Sequence, residues 1–391
     1  MRILMINSVC GIRSTGRICT DIAEMLEKQG HECKIAYGRE TVPEKYQKYA
    51  VKIGSDWSVK FDALKTRIFD NAGFNSKLQT KRFVKWIQEY NPDVIHLHNL
   101  HGYYLNIEIL FSYLKTCGKR IIWTLHDCWA FTGHCAHFDF IGCDNWEKKC
   151  HHCPLKKSYP RSLIIDASPR NYNKKKRLFT GLKNMTIVTP SQWLANLVKQ
   201  SYLKEYPVKV VPNGIDLSVF KPTENDFRSR YNLENKKLIL GVATAWGESK
   251  GLYDFYKVSK TLNKNYQVVL VGLAEKQIAE LPKTILGLPR INNVKELAEI
   301  YTSADVFVNL TYNDTYPTVN LEAQACGTPV ITYRTGGSAE SVFPENALQK
   351  GDYRNVCHRI VELCNEDARI IIQRAVSEMV RDYIKLYTEC H

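Results

Sequence analysis

Short apolar runs alternate along the chain with longer segments in which apolar residues recur at helical spacing. Each short run is long enough for a buried strand and too short for a helix. The predicted strands are residues 1–7, 33–37, 92–97, 120–125 and 185–190 in the first half, and 237–243, 266–272, 306–310 and 330–333 in the second. Helical segments such as 20–29 and 319–326 lie between them. This alternation predicts an α/β fold built on parallel sheets.

Two domains are expected, because 391 residues are more than a single core usually organises. A passage rich in proline, with an Asn-Gly turn, at residues 207–222 has the composition of a linker. The formal charge changes at the same place. Residues 1–207 contain 32 Lys and Arg against 18 Asp and Glu, whereas residues 208–391 contain 22 of each. We therefore predict one domain over 1–207 and a second over 208–370.

The whole positive excess lies in the first domain. A basic surface of this kind suits nucleic acid, an anionic membrane or a substrate that carries pyrophosphate. Aromatic residues are interleaved with Lys and Arg over residues 45–85. That pattern is typical of a helix face packed on its own domain, with a peripheral membrane contact as the alternative. No recognised nucleic-acid motif accompanies the charge.

The N-terminus turns polar after six residues, which is too early for a signal peptide. No apolar run approaches the ~20 residues that span a bilayer. We therefore expect a cytoplasmic protein whose 13 cysteines are thiols or metal ligands and not disulfides.

A cysteine-rich insertion occupies residues 128–153 and also holds four histidines. Cys150 and Cys153 form a Cys-x-x-Cys pair, and Cys135 and Cys143 complete a set of four thiols. Four such ligands predict a tetrahedral zinc site, which would be structural because no coordination position stays open for chemistry. The alternative is a group of buried free thiols.

The densest candidate chemistry lies in residues 304–340, predicted as strand, loop, helix, strand and loop. Asp314 and Glu322 lie on either side of the passage from loop to helix, and Lys250 with Gly251 precedes another predicted helix. Helix N-terminal amides and a nearby lysine both suit a phosphate. In the first half, histidines 96, 98 and 101 crowd the end of one predicted strand and His126 follows another, and ligands gather at such strand ends in open α/β sheets.

The spacing D-x7-E from Asp314 to Glu322, followed by A-Q-A-C-G-T-P-V-I and G-G-S-A-E, resembles the donor-sugar motif of retaining GT-B glycosyltransferases of family 4. N-G-I-D at 213–216 is similar to the passage between that family's domains. H-D-C-W-A-F-T-G-H-C at 126–135 is similar to its capsule, colanic-acid and O-antigen type. The chain departs from the family at Asp314, where glutamate is usual, and at Ala245, where arginine is usual.

The resemblance implies two Rossmann-like domains that face a cleft, with a helix over 371–391 crossing back to the first domain. Catalytic roles are implied for His126 beside the donor sugar, Asp314 on that sugar, Lys250 on the diphosphate and Glu322 on the ribose. The nucleotide-binding set implied by the resemblance is Gly16, Lys250, Asn292, Tyr316, Pro317, Thr318, Val319 and Glu322. Gly16 is expected in the loop over residues 8–17 that follows the first strand, and residues 287–294 are expected to form a loop beside the nucleotide base.

The implied activity is retaining transfer of a hexosyl unit from a UDP- or GDP-sugar, without a catalytic cofactor. The acceptor would be a glycan or a lipid-linked molecule of surface polysaccharide biosynthesis, met in the cytoplasm or at the inner face of an anionic membrane. Nucleic acid is not expected as a partner. Two alternatives stay open: a nucleotide-sugar epimerase or hydrolase of the same fold, and a basic nucleic-acid-binding protein.

Overall fold

The structure is a computed structural model that describes residues 1–366 and 374–388. The chain divides into two compact units. The first is Met1–Pro212 with the C-terminal residues from Ser377 onward, and the second is Asn213–Val376. In each unit helices pack against one parallel sheet.

The described residues form a seven-stranded sheet in the first unit, in the order β3-β2-β1-β4-β5-β6-β7. They form a six-stranded sheet in the second unit, in the order β10-β9-β8-β11-β12-β13. The strands are β1 (Arg2–Ile6), β2 (Glu32–Tyr37), β3 (Ala50–Lys52), β4 (Val94–Leu97), β5 (Arg120–Thr124), β6 (Met185–Thr189), β7 (Val208–Val210), β8 (Lys237–Val242), β9 (Tyr266–Val271), β10 (Ile285–Leu288), β11 (Val306–Asn309), β12 (Val330–Tyr333) and β13 (Ala347–Leu348).

Helices precede or follow most strands, as expected for parallel sheets with right-handed crossovers. They are α1 (Arg13–Lys28), α2 (Asp56–Phe69), α3 (Lys77–Tyr90), α4 (Ile107–Leu114), α5 (Asn145–Lys148), α6 (Ser168–Phe179), α7 (Gln192–Gln200), α8 (Phe227–Arg230), α9 (Leu252–Thr261), α10 (Glu275–Ala279), α11 (Val294–Ser303), α12 (Thr318–Ala325), α13 (Tyr353–Asn365) and α14 (Val376–Thr388). Short 3₁₀ helices lie at Glu44–Tyr49, Trp129–Phe131, Asp139–Ile141, Glu248–Lys250, Ser338–Ser341 and Pro344–Asn346.

All nine predicted strands are present, each with its ends within two residues of the prediction. Their apolar runs are continuous because helices cover both faces of each sheet, as at β4, β6 and β11, where every residue is buried. The prediction missed β3, β7, β10 and β13. It also treated residues 287–294 as a loop, although the last two residues of β10 occupy 287 and 288.

Gly16 does not lie in the loop where the sequence analysis expected it. The predicted helix over 20–29 begins at Arg13, so Gly16 lies in the first turn of α1. It is buried, and a Cβ atom at this position would lie 3.1 Å from Val9 Cγ2. The small residue there allows the first turn of α1 to pack closely on the loop that follows β1.

The predicted terminal helix over 371–391 corresponds in part to α14. Residues 371–373 and 389–391 lie outside the described residues. Tyr383 and Tyr387 of α14 are buried in the first unit, where they contact residues of β4 and β5. No helix among the described residues is long and apolar enough to cross a membrane.

Candidate active site

Lys250 is positioned by a close approach between two loops of the second unit. It ends a 3₁₀ turn, and Gly251 then adopts a φ of +70° before α9 begins. A Cβ atom on Gly251 would lie 2.2 Å from the carbonyl oxygen of Leu310, just after β11. The backbone N–H of Tyr312 donates to Ser249 O at 2.9 Å. These contacts require glycine at 251 and bring Lys250 against the segment that follows β11.

The side chain of Lys250 meets Asp314. Lys250 Nζ lies 3.0 Å from Asp314 Oδ2 and 3.2 Å from Thr311 Oγ1. Gly337 N donates to the backbone carbonyl of Asp314 at 3.0 Å, which fixes the loop. Both charged side chains are partly exposed, so a ligand can reach them.

The N-terminus of α12 follows this ion pair directly. The helix begins at Thr318 after Pro317, with no side-chain cap and no acidic residue in its first turn. Its first N–H groups are therefore available for an anion, and the helix dipole favours one. Tyr316 is held on the same loop, because its carbonyl accepts a hydrogen bond from Asn213 Nδ2 at 3.2 Å. Residues 316–319, which the resemblance assigns to the donor nucleotide, thus form the start of α12 and the two residues before it.

Glu322 lies one turn further along α12 and is 2% exposed. Its Oε2 accepts a hydrogen bond from the hydroxyl of Tyr301 on α11 at 3.0 Å. Glu322 lies on the helix that the sequence predicted, and its ribose-binding role stays a prediction. Asn292 lies exposed between β10 and α11, beside Asn293, which caps α11 through Lys295 N.

Two residues near this site were missed by sequence reasoning. The charge of Arg374 acts to lower the pKa of Tyr316, although burial raises it overall. Arg374 reaches this loop because the neighbouring Ala375 pairs with Ile215, a contact across 160 positions that no local motif signals. Asp254 of α9 accepts from the hydroxyls of Tyr312 and Tyr333 at 2.7 and 3.0 Å. It therefore braces the loop that carries Asp314.

The histidines of the first unit form a buried network at the ends of β4 and β5. His98 Nδ1 lies 2.9 Å from His126 Nε2. His96 contacts Thr124 Oγ1 and the hydroxyl of Tyr387, both at 2.7 Å. Burial lowers the pKa of His126 to about 4 and that of His96 to about 3, and it lowers the pKa of His98 strongly. These imidazoles are therefore neutral at pH 7.

Asp127 belongs to a second chain of contacts in the same region. Its Oδ2 lies 2.7 Å from His101 Nε2, and His101 Nδ1 lies 3.0 Å from the hydroxyl of Tyr159. Burial opposes ionisation of Asp127, but the charge and hydrogen bond of His101 outweigh it and lower the pKa to about 2. The expectation that these histidines gather at the strand ends is confirmed. The catalytic role predicted for His126 is not tested by this geometry.

The structure does not support the predicted zinc site. Cys135, Cys143, Cys150 and Cys153 line one small cavity, as the clustering suggested. However, no three His, Cys, Asp or Glu side chains within residues 1–366 and 374–388 are arranged to hold a metal ion. The Cys135 thiol donates instead to Cys153, and Cys150 Sγ accepts from Gly133 N at 3.1 Å. Sequence spacing predicted proximity but not the direction of each sulfur.

The two units, each with helices packed on one parallel sheet, have the GT-B fold. The Anabaena protein Alr3699/HepE, solved with UDP-glucose, shares the fold with a TM-score of 0.63. The alignment covers 100% of this chain and 96% of HepE at 14% identity, a level that shows the fold alone.

Family models then match most of the chain. Glycosyltransferase Family 4 matches residues 15–219, and Glycosyl transferases group 1 matches residues 223–351. The chain belongs to glycosyltransferase family 4. These matches favour neither the epimerase or hydrolase alternative nor the nucleic-acid-binding alternative.

Two relatives illustrate the range of names in this group. WcaC of Escherichia coli K12, which carries the name of a colanic acid biosynthesis glycosyl transferase, is 24% identical over 371 residues. That alignment covers 87% of this chain and 85% of WcaC. The N,N'-diacetylbacillosaminyl-diphospho-undecaprenol alpha-1,3-N-acetylgalactosaminyltransferase of Campylobacter jejuni is 26% identical over 159 residues, or 38% of this chain and 42% of that enzyme.

Proposed function

We propose that this protein transfers a hexosyl unit from a nucleoside diphosphate sugar, with retention of the anomeric configuration, to a growing surface polysaccharide or its lipid-linked precursor. One observation carries the proposal. Lys250, Asp314 and the uncapped start of α12 meet in one place, although the chain separates Lys250 from Asp314 by 64 positions. A cation beside free helix amides is suited to a diphosphate.

The second unit would stabilise the leaving group. As the bond between the sugar and the nucleoside diphosphate breaks, negative charge grows on the diphosphate oxygens. Lys250 Nζ and the first amides of α12 would offset that charge, and such preorganised groups stabilise a transition state more than a ground state. Arg374 supplies a second positive charge near Tyr316, in a chain that has alanine at position 245.

The sugar and ribose would be held by acceptors on the same loop and helix. Asp314 would accept from sugar hydroxyls and Glu322 from the ribose hydroxyls. In the first unit, His126 would offer a neutral imidazole to the sugar, because burial keeps its pKa at about 4. A neutral imidazole adds no positive charge next to an oxocarbenium-like centre, which suits a reaction on one face of the sugar without a dedicated base.

The acceptor class follows from the relatives. WcaC carries a colanic acid name, and the Campylobacter enzyme's name specifies a diphospho-undecaprenol acceptor. We therefore propose a glycan or polyprenyl-diphosphate acceptor, a UDP- or GDP-sugar donor and peripheral contact with an anionic membrane at the cytoplasmic face.

A panel of UDP- and GDP-sugars, scored by thermal shift, tests the donor assignment, because a ligand of the folded state raises the unfolding temperature. The stabilising donor is then incubated with glycan and lipid-linked acceptors, and the product's anomeric configuration is read by NMR. We expect acceptor-dependent release of nucleoside diphosphate and a retained anomer. Nucleotide release or sugar isomerisation that ignores every acceptor would favour the hydrolase or epimerase alternative.

A further inference from the structure

A cavity of about 590 Å³ lies in the first unit, and none of the residues discussed above as donor- or histidine-site groups lines it. It is bordered by α2, by the segment that joins α2 to α3, and by the first turns of α3, α4 and α6. Its charged lining residues are Lys65, Lys77, Arg170, Lys174, Asp62 and Glu108. Four cations thus face two carboxylates.

Both carboxylates already have partners. Glu108 forms an ion pair with Lys174 at 3.2 Å. Asp62 accepts hydrogen bonds from Ser76 Oγ at 2.7 Å and Asn75 Nδ2 at 2.9 Å. Burial raises the pKa of Asp62, although hydrogen bonds from Ser76, Asn75 and Thr66 act to lower it. With Glu108 paired to Lys174, three cations remain beside this one carboxylate. The cavity is therefore electropositive.

Lys77 and Arg170 are exposed, and neither forms an ion pair within the described part of the chain. Lys77 is the first residue of α3, and Arg170 is the third residue of α6. Neither helix has an acidic residue in its first turn. A cation at a helix N-terminus opposes the helix dipole. An anion at the start of α3 would relieve that repulsion and bind the first amides of that helix as well. In α6, Pro169 has no N–H and Ser168 N donates to Asp166 Oδ1 at 3.0 Å, so Arg170 would contribute the charge of its side chain alone.

A buried polar atom provides independent support. Asn171 lines the cavity and is 3% exposed. Its Nδ2 donates to the carbonyl of Asp70, whereas its Oδ1 has no hydrogen-bond partner among the described residues. Buried side-chain oxygens nearly always have a partner. A hydroxyl donor next to the anion would supply one here.

The rim of the cavity is apolar and exposed. Trp57, Phe61 and Leu64 follow one face of α2 at helical spacing and are 79%, 58% and 51% exposed. Phe61 also lines the cavity. Beside the end of α2, Leu163 N donates to Arg67 O at 2.7 Å, which places a further exposed apolar segment, 163–165, on the same rim. A cationic cavity beside these exposed apolar side chains fits an amphiphilic ligand.

We propose that this cavity binds the phosphoryl headgroup of a membrane lipid. Lys77 and Arg170 contact the phosphoryl oxygens, Asn171 Oδ1 accepts from a headgroup hydroxyl, and Trp57 and Phe61 contact the hydrocarbon. The proposal does not depend on sugar transfer, because lipid binding is measured without donor or acceptor. Its failure would weaken the proposed membrane contact but leave the proposed sugar transfer untouched.

Co-sedimentation with vesicles tests the site. The full chain is mixed with vesicles of phosphatidylcholine alone and of phosphatidylcholine with phosphatidylglycerol, whose headgroup carries both a phosphoryl group and hydroxyls. The Lys77→Gln/Arg170→Gln variant removes the two unpaired cations. The matched control, Lys81→Gln/Lys176→Gln, removes one cation from each of the same two helices outside the cavity. A Trp57→Ser/Phe61→Ser variant removes the apolar rim, and thermal unfolding checks each fold.

We expect binding to phosphatidylglycerol vesicles that falls on the order of 30-fold in the cavity variant, from about 1 kcal/mol per cation, and less than about 2-fold in the control. The rim variant should also bind weakly. Equal losses in the cavity and control variants would mean general charge attraction and overturn the site. Absence of vesicle binding by the unaltered chain would overturn it too. Equally tight binding of soluble glycerol 3-phosphate, unaffected by the rim variant, would overturn the assignment to a lipid.

Discussion

Lys250 Nζ lies 3.0 Å from Asp314 Oδ2, so the cation expected to bind the donor already has a carboxylate partner. The pair has no net charge, whereas a nucleoside diphosphate sugar brings two negative charges. On the proposed function, we therefore expect the diphosphate to interact with Lys250 together with the N-terminus of α12 and the charge of Arg374. Asp314 orients the lysine but also weakens its attraction for phosphate, and separate variants of the two residues distinguish these effects.

Lys250→Ala should lower kcat strongly, because it removes a charge that is most valuable when the leaving group becomes negative. The expected loss is about 10²–10³-fold, or about 2.7–4 kcal/mol of transition-state stabilisation. Steady-state kinetics with the donor found by thermal shift measures it. Lys260→Ala, an exposed lysine in the last turn of α9, is the matched control and should stay within about twofold. Near-normal turnover by Lys250→Ala would show that the phosphate assignment is wrong.

Asp314→Asn should affect the affinity for the nucleoside diphosphate and kcat in different ways. The amide no longer neutralises Lys250, so the affinity for free UDP or GDP should be unchanged or higher. The sugar contact is weakened, so kcat should fall, by about 10-fold for one hydrogen bond to a charged group. Calorimetric titration of the nucleoside diphosphate and steady-state kinetics give the two values. Weaker nucleotide binding together with unchanged kcat would contradict both roles.

Glu322→Gln should raise the KM for the donor more than it lowers stability. The amide oxygen can still accept from Tyr301, so the buried contact survives, whereas the charged acceptor for ribose hydroxyls is lost. We expect an increase in KM of about 10-fold, from about 1.5 kcal/mol for a hydrogen bond to a charged group. Tyr301→Phe is the companion variant, because it removes the partner of Glu322 and leaves the carboxylate. Kinetics of Glu322→Gln equal to those of the unaltered enzyme would reject the ribose role.

The four strands that the sequence analysis missed are all at the edges of the sheets. β3, β7, β10 and β13 have only two to four residues each. An interior strand is covered by helices on both faces, so its sequence is a continuous apolar run that is easier to recognise. β7 illustrates the difficulty, since its residues Val208–Val210 are exposed or half-buried. Their pairing with β6 is set by tertiary structure and not by local pattern.

The candidate site was predictable to the extent that motifs lie in one segment. Asp314, Glu322 and the start of α12 were found because they are neighbours in the chain. Arg374 and Asp254 were missed because their contacts depend on how distant segments pair. Gly16 was placed in a loop because a glycine after polar residues is typical of one, whereas here it is small enough to let the first turn of α1 pack on the loop that follows β1.

Cys153 should be the fastest of the four clustered cysteines to alkylate at pH 7. The hydrogen bond from Cys135 lowers its pKa to about 7 despite partial burial, and the charge of His134 assists. Burial raises the pKa of Cys150 to about 11. Iodoacetamide labelling with peptide mass spectrometry gives the rate at each thiol, since the thiolate is the nucleophile. Cys135→Ala should slow labelling of Cys153 at pH 7 but not at pH 10. A rate that ignores this substitution would contradict the hydrogen-bond assignment.

The stability of the protein should fall steadily from pH 6.5 towards pH 4, because of its buried histidines. Their folded pKa values lie below the ordinary value of ~6.5, at about 4 for His126 and about 3 for His96. The stabilisation is complete above pH 6.5 and is lost as the pH falls, since the unfolded chain takes up protons that the folded chain cannot. Asp127 has a pKa of about 2 in the folded protein, so its ionisation affects the free energy of unfolding only below about pH 3.9. It therefore does not contribute in this range.

The His96→Gln variant tests the contribution of one histidine to this pH dependence. The amide can still reach Thr124 and Tyr387, so the variant should fold, but the slope of unfolding free energy against pH should drop by about 1.4 kcal/mol per pH unit between pH 5.5 and 4. Urea unfolding at several pH values measures the slope independently of absolute stability. His358→Gln, at an exposed position on α13, is the control and should leave the slope nearly unchanged. Equal slopes for the unaltered protein and His96→Gln would mean that His96 binds its proton in the folded state, and the neutral network at the ends of β4 and β5 would have to be abandoned.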